Sequence, residues 1–271
     1  MQEVRMGKSI SLNKKTILIA GCYGDFAKEI SLTLIEAGAK LILIGKSKEK
    51  FLAKYADCDL DFLEPLFHIC DLTNEEEIIK LKNKIDPDLK NLYGIVNCVA
   101  YQAYTKSIFE TDYNSWKEGI DVDINSVFLT IKYFGSYLVD NKLGSIVNFT
   151  SFHNIGTYPN RVLYNTCKSA VEGLTRSIAV ELGQYNIRAN AVAPGPIFST
   201  RTRFFLDQNP EVKSLMLGRT PLYRIGELED IAGLVLFLLS SYSKHITGQQ
   251  HVIDGGWSVN TWFETFKHKD A

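Results

Sequence analysis

Neither sign of charge predominates in this chain: 30 Lys and Arg stand against 31 Asp and Glu, a formal net charge of −1. Binding to nucleic acid or to an anionic membrane shows as a basic excess, so neither partner is expected. Cysteine is sparse and odd in number. Cys22, Cys58, Cys70, Cys98 and Cys167 are scattered and form no CxxC pair. In 271 residues that reads as reduced, mostly buried thiols of a cytosolic protein, not as a disulfide framework. The five histidines are equally dispersed, and no metal site is expected. Long apolar runs are missing too. The opening MQEVRMGKSISLNKK has no apolar core of signal-peptide length, and IAGLVLFLL at 231–239 is too short to span a bilayer. A cytoplasmic globular protein is the expectation. No repeat, low-complexity tract or linker divides the sequence, so one domain over 1–271 is expected, with a polar lead at 1–12.

What is present alternates. Short aliphatic runs at 16–20, 40–44, 66–69, 93–99, 145–150, 188–192 and 251–253 read as strands. Segments of helical period lie between them, at about 26–37, 73–85, 115–140, 162–184 and 228–240. Apolar strands separated by helices predict an α/β fold, a doubly wound parallel sheet of about seven strands covered on both faces. The stretch 196–226, opening PGPIFSTRTRFF, has no clear period. Its length predicts a substrate lid, and the plainer reading, a surface excursion with a short helix or two, is contained in that one.

The first predicted strand and helix are joined in TILIAGCYGDFAKEI (16–30). In doubly wound folds this turn cradles a pyrophosphate, with glycines admitting the phosphates and the helix N-terminus supplying N–H groups. Here the spacing is Gly21, Gly24, Ala27, which by itself also suits an ordinary strand-to-helix turn. Asp25 is expected as the N-cap of a helix starting at Phe26. The next strand ends LILIGKSKEK, without the acidic residue that would hold the ribose hydroxyls of NAD. Gly45 leaves that position empty, and Lys46 follows. A lysine there favours a 2′-phosphate, hence NADP(H), with NAD(H) the alternative. The competing view of 46–50 is a solvated charged turn leading into a helix.

The pattern Y-x-x-x-K sets a phenol and an ammonium one helical turn apart, and the ammonium stabilises the phenolate. That makes the tyrosine a usable acid or base. The chain holds two copies, Tyr113/Lys117 and Tyr164/Lys168. Tyr164 follows Ser151 by 13 residues, and Ser151 closes the strand SIVNFTS; the residue at the same distance before Tyr113 is Ala100. Tyr113/Lys117 is read as an incidental surface pair.

With these residues the chain resembles the short-chain dehydrogenase/reductase family, of the roughly 250-residue kind with a Ser-Tyr-Lys active site. The resemblance runs from SLNKKTILIAG through YNTCKSAVEGLTRSIAVELGQYNIRANAVAPGPIFST to PLYRIGELEDIAGLVLFLLSSYSKHITGQQHVIDGGWS, nearly the whole chain. It implies a Rossmann-like fold and a small-molecule alcohol or ketone as substrate. Tyr164 would move the proton, Lys168 would lower the phenol's pKa and hold the nicotinamide ribose, and Ser151 would orient the substrate oxygen. For the cofactor it implies Gly21, Tyr23, Gly24 and Phe26 in the glycine loop, Lys46 after the second strand, and Asp71 with Leu72 near the adenine. Asn97, Val99 and Ala100 would line the cofactor, and Pro194, Gly195, Ile197 and Ser199 match the segment that holds the carboxamide.

Three departures stand out. The usual TGxxxGxG is AGCYGDFA, with Asp25 for the middle glycine; NNAG is Asn97-Cys98-Val99-Ala100; and the helix asparagine that helps to hold a water beside the lysine is Asp123. Asp123 is therefore a fourth catalytic candidate, with a charge that would act on Lys168, and Asn125 a substitute only if the helix register shifts. Two of these departures, Asp25 and Asp123, are what a non-catalytic, cofactor-binding or scaffold member would also show. Specificity is expected from Tyr101, Gln102, His153, Asn154, Tyr158, Arg161, Arg201, Arg203 and Phe204, whose polar and basic character suits a sugar, a polyol, or a carboxylate- or phosphate-bearing substrate. The family's habit implies a homo-oligomer, tetramer or dimer. The aromatic tail at 257–271, with Trp262, Phe263 and Phe266, could cover an interface or a neighbouring pocket.

Overall fold

The structure is a computed structural model and describes residues 10–101 and 106–261. Seven strands form one sheet: β1 (Thr16–Ala20), β2 (Lys40–Gly45), β3 (Phe67–Ile69), β4 (Leu92–Asn97), β5 (Gly144–Phe149), β6 (Ile187–Pro194) and β7 (Gln250–Ile253). Every pairing is parallel and the order is β3-β2-β1-β4-β5-β6-β7. The helices are α1 (Asp25–Glu36), α2 (Lys48–Lys54), α3 (Leu60–Leu63), α4 (Glu75–Lys84), α5 (Asp86–Leu89), α6 (Tyr113–Ile120), α7 (Ser126–Asn141), α8 (Val162–Leu182), α9 (Thr200–Gln208), α10 (Pro210–Arg219) and α11 (Leu228–Leu239).

A strand such as TILIA has no polar face because both of its faces are covered. Ile17 and Ile19 join one core with Ala27, Ile30 and Leu34 of α1 and Ile231, Val235 and Leu238 of α11. Leu18 and Ala20 point the other way, into a core with Ile78 of α4, Phe134 and Leu138 of α7, and Val171 and Ile178 of α8. This period-two division of one strand between two cores is what a doubly wound sheet requires. The strand order reverses between β1 and β4, so the loops leaving them diverge and open a crevice at the carboxyl edge of the sheet.

The helix expected over 115–140 is interrupted. Between α6 and α7 the chain widens by one residue over Asp121–Asn125, where the Ser126 N–H bonds back to the Asp121 carbonyl. Asn125 Nδ2 donates to Asp121 Oδ1 at 2.7 Å on the outside of this turn, while Asp123 faces inward, buried. Wide turns of this kind re-aim a side chain within a helix. The aperiodic segment 196–226 contains α9 and α10. Ser199 caps α9 by accepting the Thr202 N–H at 3.1 Å. The segment is also tied to the start of α11 through Arg203 and Glu227, 3.1 Å apart.

Candidate active site

Tyr164 and Lys168 lie one turn apart near the start of α8. Lys168 Nζ is 3.2 Å from Asp123 Oδ1, with both side chains almost wholly buried, and 5.8 Å from the centre of the Tyr164 ring. The same carboxylate oxygen accepts the Tyr101 N–H at 3.0 Å. Burial alone would pull the Lys168 pKa down; the charge of Asp123, then that of Tyr164, overrides it and holds the ammonium above its ordinary value. Lys168 is therefore a fixed cation beside the phenol. Asn125 does not reach it, being bound to Asp121.

Ser151 follows β5 and is buried; its Oγ accepts the His153 N–H at 3.3 Å. His153 fills the corner between the serine turn and α8. Its ring meets Tyr164 edge-on at 5.8 Å and Tyr158 at 4.5 Å, and its Nδ1 is buried without a partner. Burial, then the charge of Arg161, pushes the His153 pKa down to about 4, so the ring is neutral near pH 7. Asn154 Nδ2 donates to the Lys168 carbonyl at 3.0 Å and to Gln250 Oε1 at 3.1 Å, stapling the serine turn to α8 and β7. The fold thus gathers Ser151, Tyr164, Lys168 and Asp123 at one corner of the sheet. The other Y-x-x-x-K copy lies apart: Tyr113 is exposed at the start of α6, with Lys117 Nζ 4.9 Å from its ring.

The expected cofactor residues lie at the carboxyl ends of β1, β2, β3, β4 and β6 or in the loops that follow them. Gly21 has φ +79°, and a Cβ there would sit 2.8 Å from the Val99 backbone nitrogen. Only glycine fits. Gly24 differs from expectation: its backbone is extended, with open space where a Cβ would point, so the turn does not need a glycine there. Gly45 is not empty either. The Tyr23 ring lies against it, 2.5 Å from where a Cβ would stand, so the place of the missing acidic residue is taken by an aromatic face.

Asp25 is not the cap of α1. Gly24 holds that position and Asp25 is the first helical residue. Its carboxylate pairs with Lys54 and accepts the Thr200 N–H at 2.8 Å and the Thr200 hydroxyl at 3.0 Å. Burial would raise the Asp25 pKa, but the bonds from Lys54 and Thr200 outweigh it and hold the carboxyl below its usual value. Lys46, largely exposed, stands 3.5 Å from Asp71 Oδ2. Asp71 also accepts the Thr73 N–H at 3.0 Å and hydroxyl at 2.8 Å. These bonds and Lys46 overcome the effect of burial and lower its pKa. The competing reading of 46–50 holds as local structure, because Ser47 caps α2 through the Lys50 N–H.

The remaining residues complete the wall. Leu72 is buried, Phe26 stacks on Phe149 at 5.8 Å, Val99 lies against Gly21, and Ala100 is exposed. Asn97 Nδ2 donates to Asn148 Oδ1 at 2.8 Å, leaving its own buried Oδ1 unpartnered. Pro194 ends β6; Gly195 packs so closely on Asp254 that a Cβ would fall 2.3 Å from the aspartate Cβ; Ile197 is buried and Ser199 caps α9. The Gly21–Val99 cradle and the open Asn97 oxygen fit a dinucleotide crossing the switch point. Of the specificity candidates, Tyr101 and Arg161 line a cleft with Tyr164, whereas Arg203 is directed to Glu227 and Phe204 to solvent. Gln102, Trp262, Phe263 and Phe266 lie outside the described residues.

A parallel sheet with a glycine cradle at its switch point and a tyrosine–lysine turn beside it defines a nicotinamide-dependent oxidoreductase. The profile described as Enoyl-(Acyl carrier protein) reductase matches residues 25–258, and the chain belongs to the short-chain dehydrogenase/reductase family. It is 30% identical over 252 residues to dehydrogenase/reductase SDR family member 6 of Aquarana catesbeiana, covering 91% of this chain and 98% of that protein. It is 32% identical over 250 residues to the 3-oxoacyl-[acyl-carrier-protein] reductase FabG of Thermotoga maritima, covering 90% and 98%. Among solved structures, a short-chain type dehydrogenase/reductase from Mycobacterium ulcerans superposes with a TM-score of 0.84 at 27% identity over 92% of each chain. NAD+-bound xylitol dehydrogenase (TM-score 0.81, 26%, covering 90% and 99%) and NADP-bound ElxO (0.81, 26%, 91% and 99%) are similar too. No helix among the described residues is long and apolar enough to cross a membrane.

Several partners were not visible in the sequence. Lys54 and Thr200, which hold Asp25, and Tyr23 over Gly45 come from chain far apart in number. Asn148 and Thr175, which brace Asn97 from behind, carried one legible sign: an asparagine inside the apolar run SIVNF.

Proposed function

We propose that the chain is an NADP(H)-dependent oxidoreductase that interconverts a secondary alcohol and a ketone on a sugar, polyol or oxoacyl-type small molecule. The observation that carries this is Lys168, buried and held charged next to Tyr164. The bound nicotinamide supplies or accepts the hydride. Tyr164 gives its phenolic proton to the substrate oxygen during reduction and takes it back during oxidation, and Lys168 stabilises the phenolate between the two. Ser151 hydrogen-bonds the same oxygen and orients it. Asp123 fixes the ammonium in place. Gly21, Tyr23, Gly24, Phe26, Asp71, Leu72, Asn97, Val99 and Ala100 would hold the adenosine and pyrophosphate half, and Pro194, Gly195, Ile197 and Ser199 the nicotinamide half. The lack of a carboxylate at the end of β2, with Tyr23 in its place and Lys46 exposed beside it, supports NADP(H) over NAD(H). Exposed Phe128 on α7 and Val180 on α8 suit the association of copies through these helices.

Fluorescence titration with NADPH and NADH tests the reading. Saturable binding, tighter for NADPH, is expected, and Tyr164→Phe should abolish turnover while leaving cofactor affinity nearly unchanged. Binding of neither nucleotide would favour a non-catalytic scaffold; tighter NADH would remove only the argument from Lys46.

A further inference from the structure

We propose that the substrate carries a carboxylate group and that Arg161 recognises it. This rests on the assignment of Tyr164 as the proton-transferring residue, because both side chains line the same partly open cleft. Tyr101, Lys106, Ser115 and Asn160 also face it; among the described residues no acidic side chain lines it, while Glu118 accepts the Tyr101 hydroxyl at 3.3 Å and Asp112 holds Lys106 and Ser115. Among the described residues no carboxylate lies within ion-pairing distance of Arg161. Its guanidinium packs on two rings instead, 5.3 Å from the centre of Tyr158 and 6.0 Å from that of Tyr164.

The Arg161 Nε is buried and has no acceptor. An ionised donor left so costs more than a neutral one, and a ligand oxygen entering the cleft would satisfy it. Arg161 also occupies the N-cap of α8 without a side-chain capping bond, so the uncapped end of a 21-residue helix adds positive potential to the same space. Its field reaches His153, whose protonation it opposes. Among the described residues that line the cleft, Arg161 is therefore the cation without an ion-pair partner, and aromatic walls hold it there.

The chemistry favours a carboxylate over a phosphate. Lys106, the second cation of the cleft, is already paired with Asp112 at 3.3 Å. One free guanidinium matches one monoanion, and its planar fork matches the two oxygens of a carboxylate. The short separation between Arg161 and the Tyr164 ring places the anion within a few bonds of the reacting carbon. A short hydroxy acid, or the oxo acid made from it, meets both conditions.

Calorimetric titration of tartrate, of threitol (the neutral polyol with the same four carbons) and of glycerol 3-phosphate, each with and without saturating NADPH, tests this. Tartrate is expected to bind at least about tenfold more tightly than threitol, the scale of one charge-assisted contact. Arg161→Met should lose that preference while binding NADPH as the wild type does, and Arg161→Lys should fall between them. Equal affinity for tartrate and threitol, or tartrate binding unchanged in Arg161→Met or Arg161→Lys, overturns the proposal. Preference for glycerol 3-phosphate overturns the carboxylate in favour of a phosphate. Either result, with NADPH binding intact, leaves the oxidoreductase reading standing; loss of NADPH binding in the wild type strikes that reading and not the tartrate preference measured without cofactor.

Discussion

Asp123 presses a negative charge against the cation on which Tyr164 depends. The same charge holds the buried ammonium above its ordinary value, which burial alone would lower. In Asp123→Asn that support disappears, Lys168 gives up its proton more readily, and the alkaline limb of the oxidation rate against pH should move toward acid. A pH–rate profile that stays in place would show that Asp123 acts only as a structural anchor. The charge at 123 was legible in the sequence, because IDVDINSVF stands where an asparagine was expected. Its action on Lys168 was legible through the resemblance; the direct 3.2 Å contact, where a water beside the lysine was expected, was not.

At the scale of elements, the start of α1 after β1 and helix α9 meet through one carboxylate. Asp25 accepts both the backbone N–H and the hydroxyl of Thr200, the first residue of α9. Asp25→Ala removes these bonds and a negative charge from the crevice. Amide exchange should quicken at the start of α9, and NADPH should bind roughly fivefold more tightly, the effect of about 1 kcal/mol of relieved repulsion. Unchanged exchange at Thr200–Arg203 would mean that α9 is held by Arg203 and Glu227 alone. Sequence reading found most strands and helices, because a parallel sheet writes both of its buried faces into continuous aliphatic runs. It missed α3 and α5, gave no bounds to α2, α9 and α10 beyond a helix after 46–50 and a short helix or two within 196–226, and assigned Asp25 to a local cap. Local chemistry favours such a cap, but a lysine on α2 and a backbone N–H on α9 compete for the same oxygens and win.

Across the molecule, stability on the acid side carries the mark of His153. Its folded pKa, about 4, lies below the ordinary 6.5. The folded state keeps the ring neutral while the unfolded chain takes up a proton, so this contribution is whole above pH 6.5 and is lost as pH falls toward 4. Asp25 and Asp71, whose pKa values are lowered from 3.8, give way only in more acid solution. His153→Phe should therefore flatten the fall in Tm between pH 6.5 and 4 and leave the steeper loss below it; parallel Tm curves for variant and wild type would refute this assignment. The widened turn at Asp121–Asn125 has a different kind of consequence, one for heredity. It holds a residue more than regular helix needs. Loss of a single codon there would give the backbone a regular helix with both flanks close to their present register, yet it would close the wide turn that faces Asp123 toward Lys168. Substitutions around this turn are open to selection one side chain at a time, whereas an in-frame deletion repairs the helix and dismantles the site in the same event.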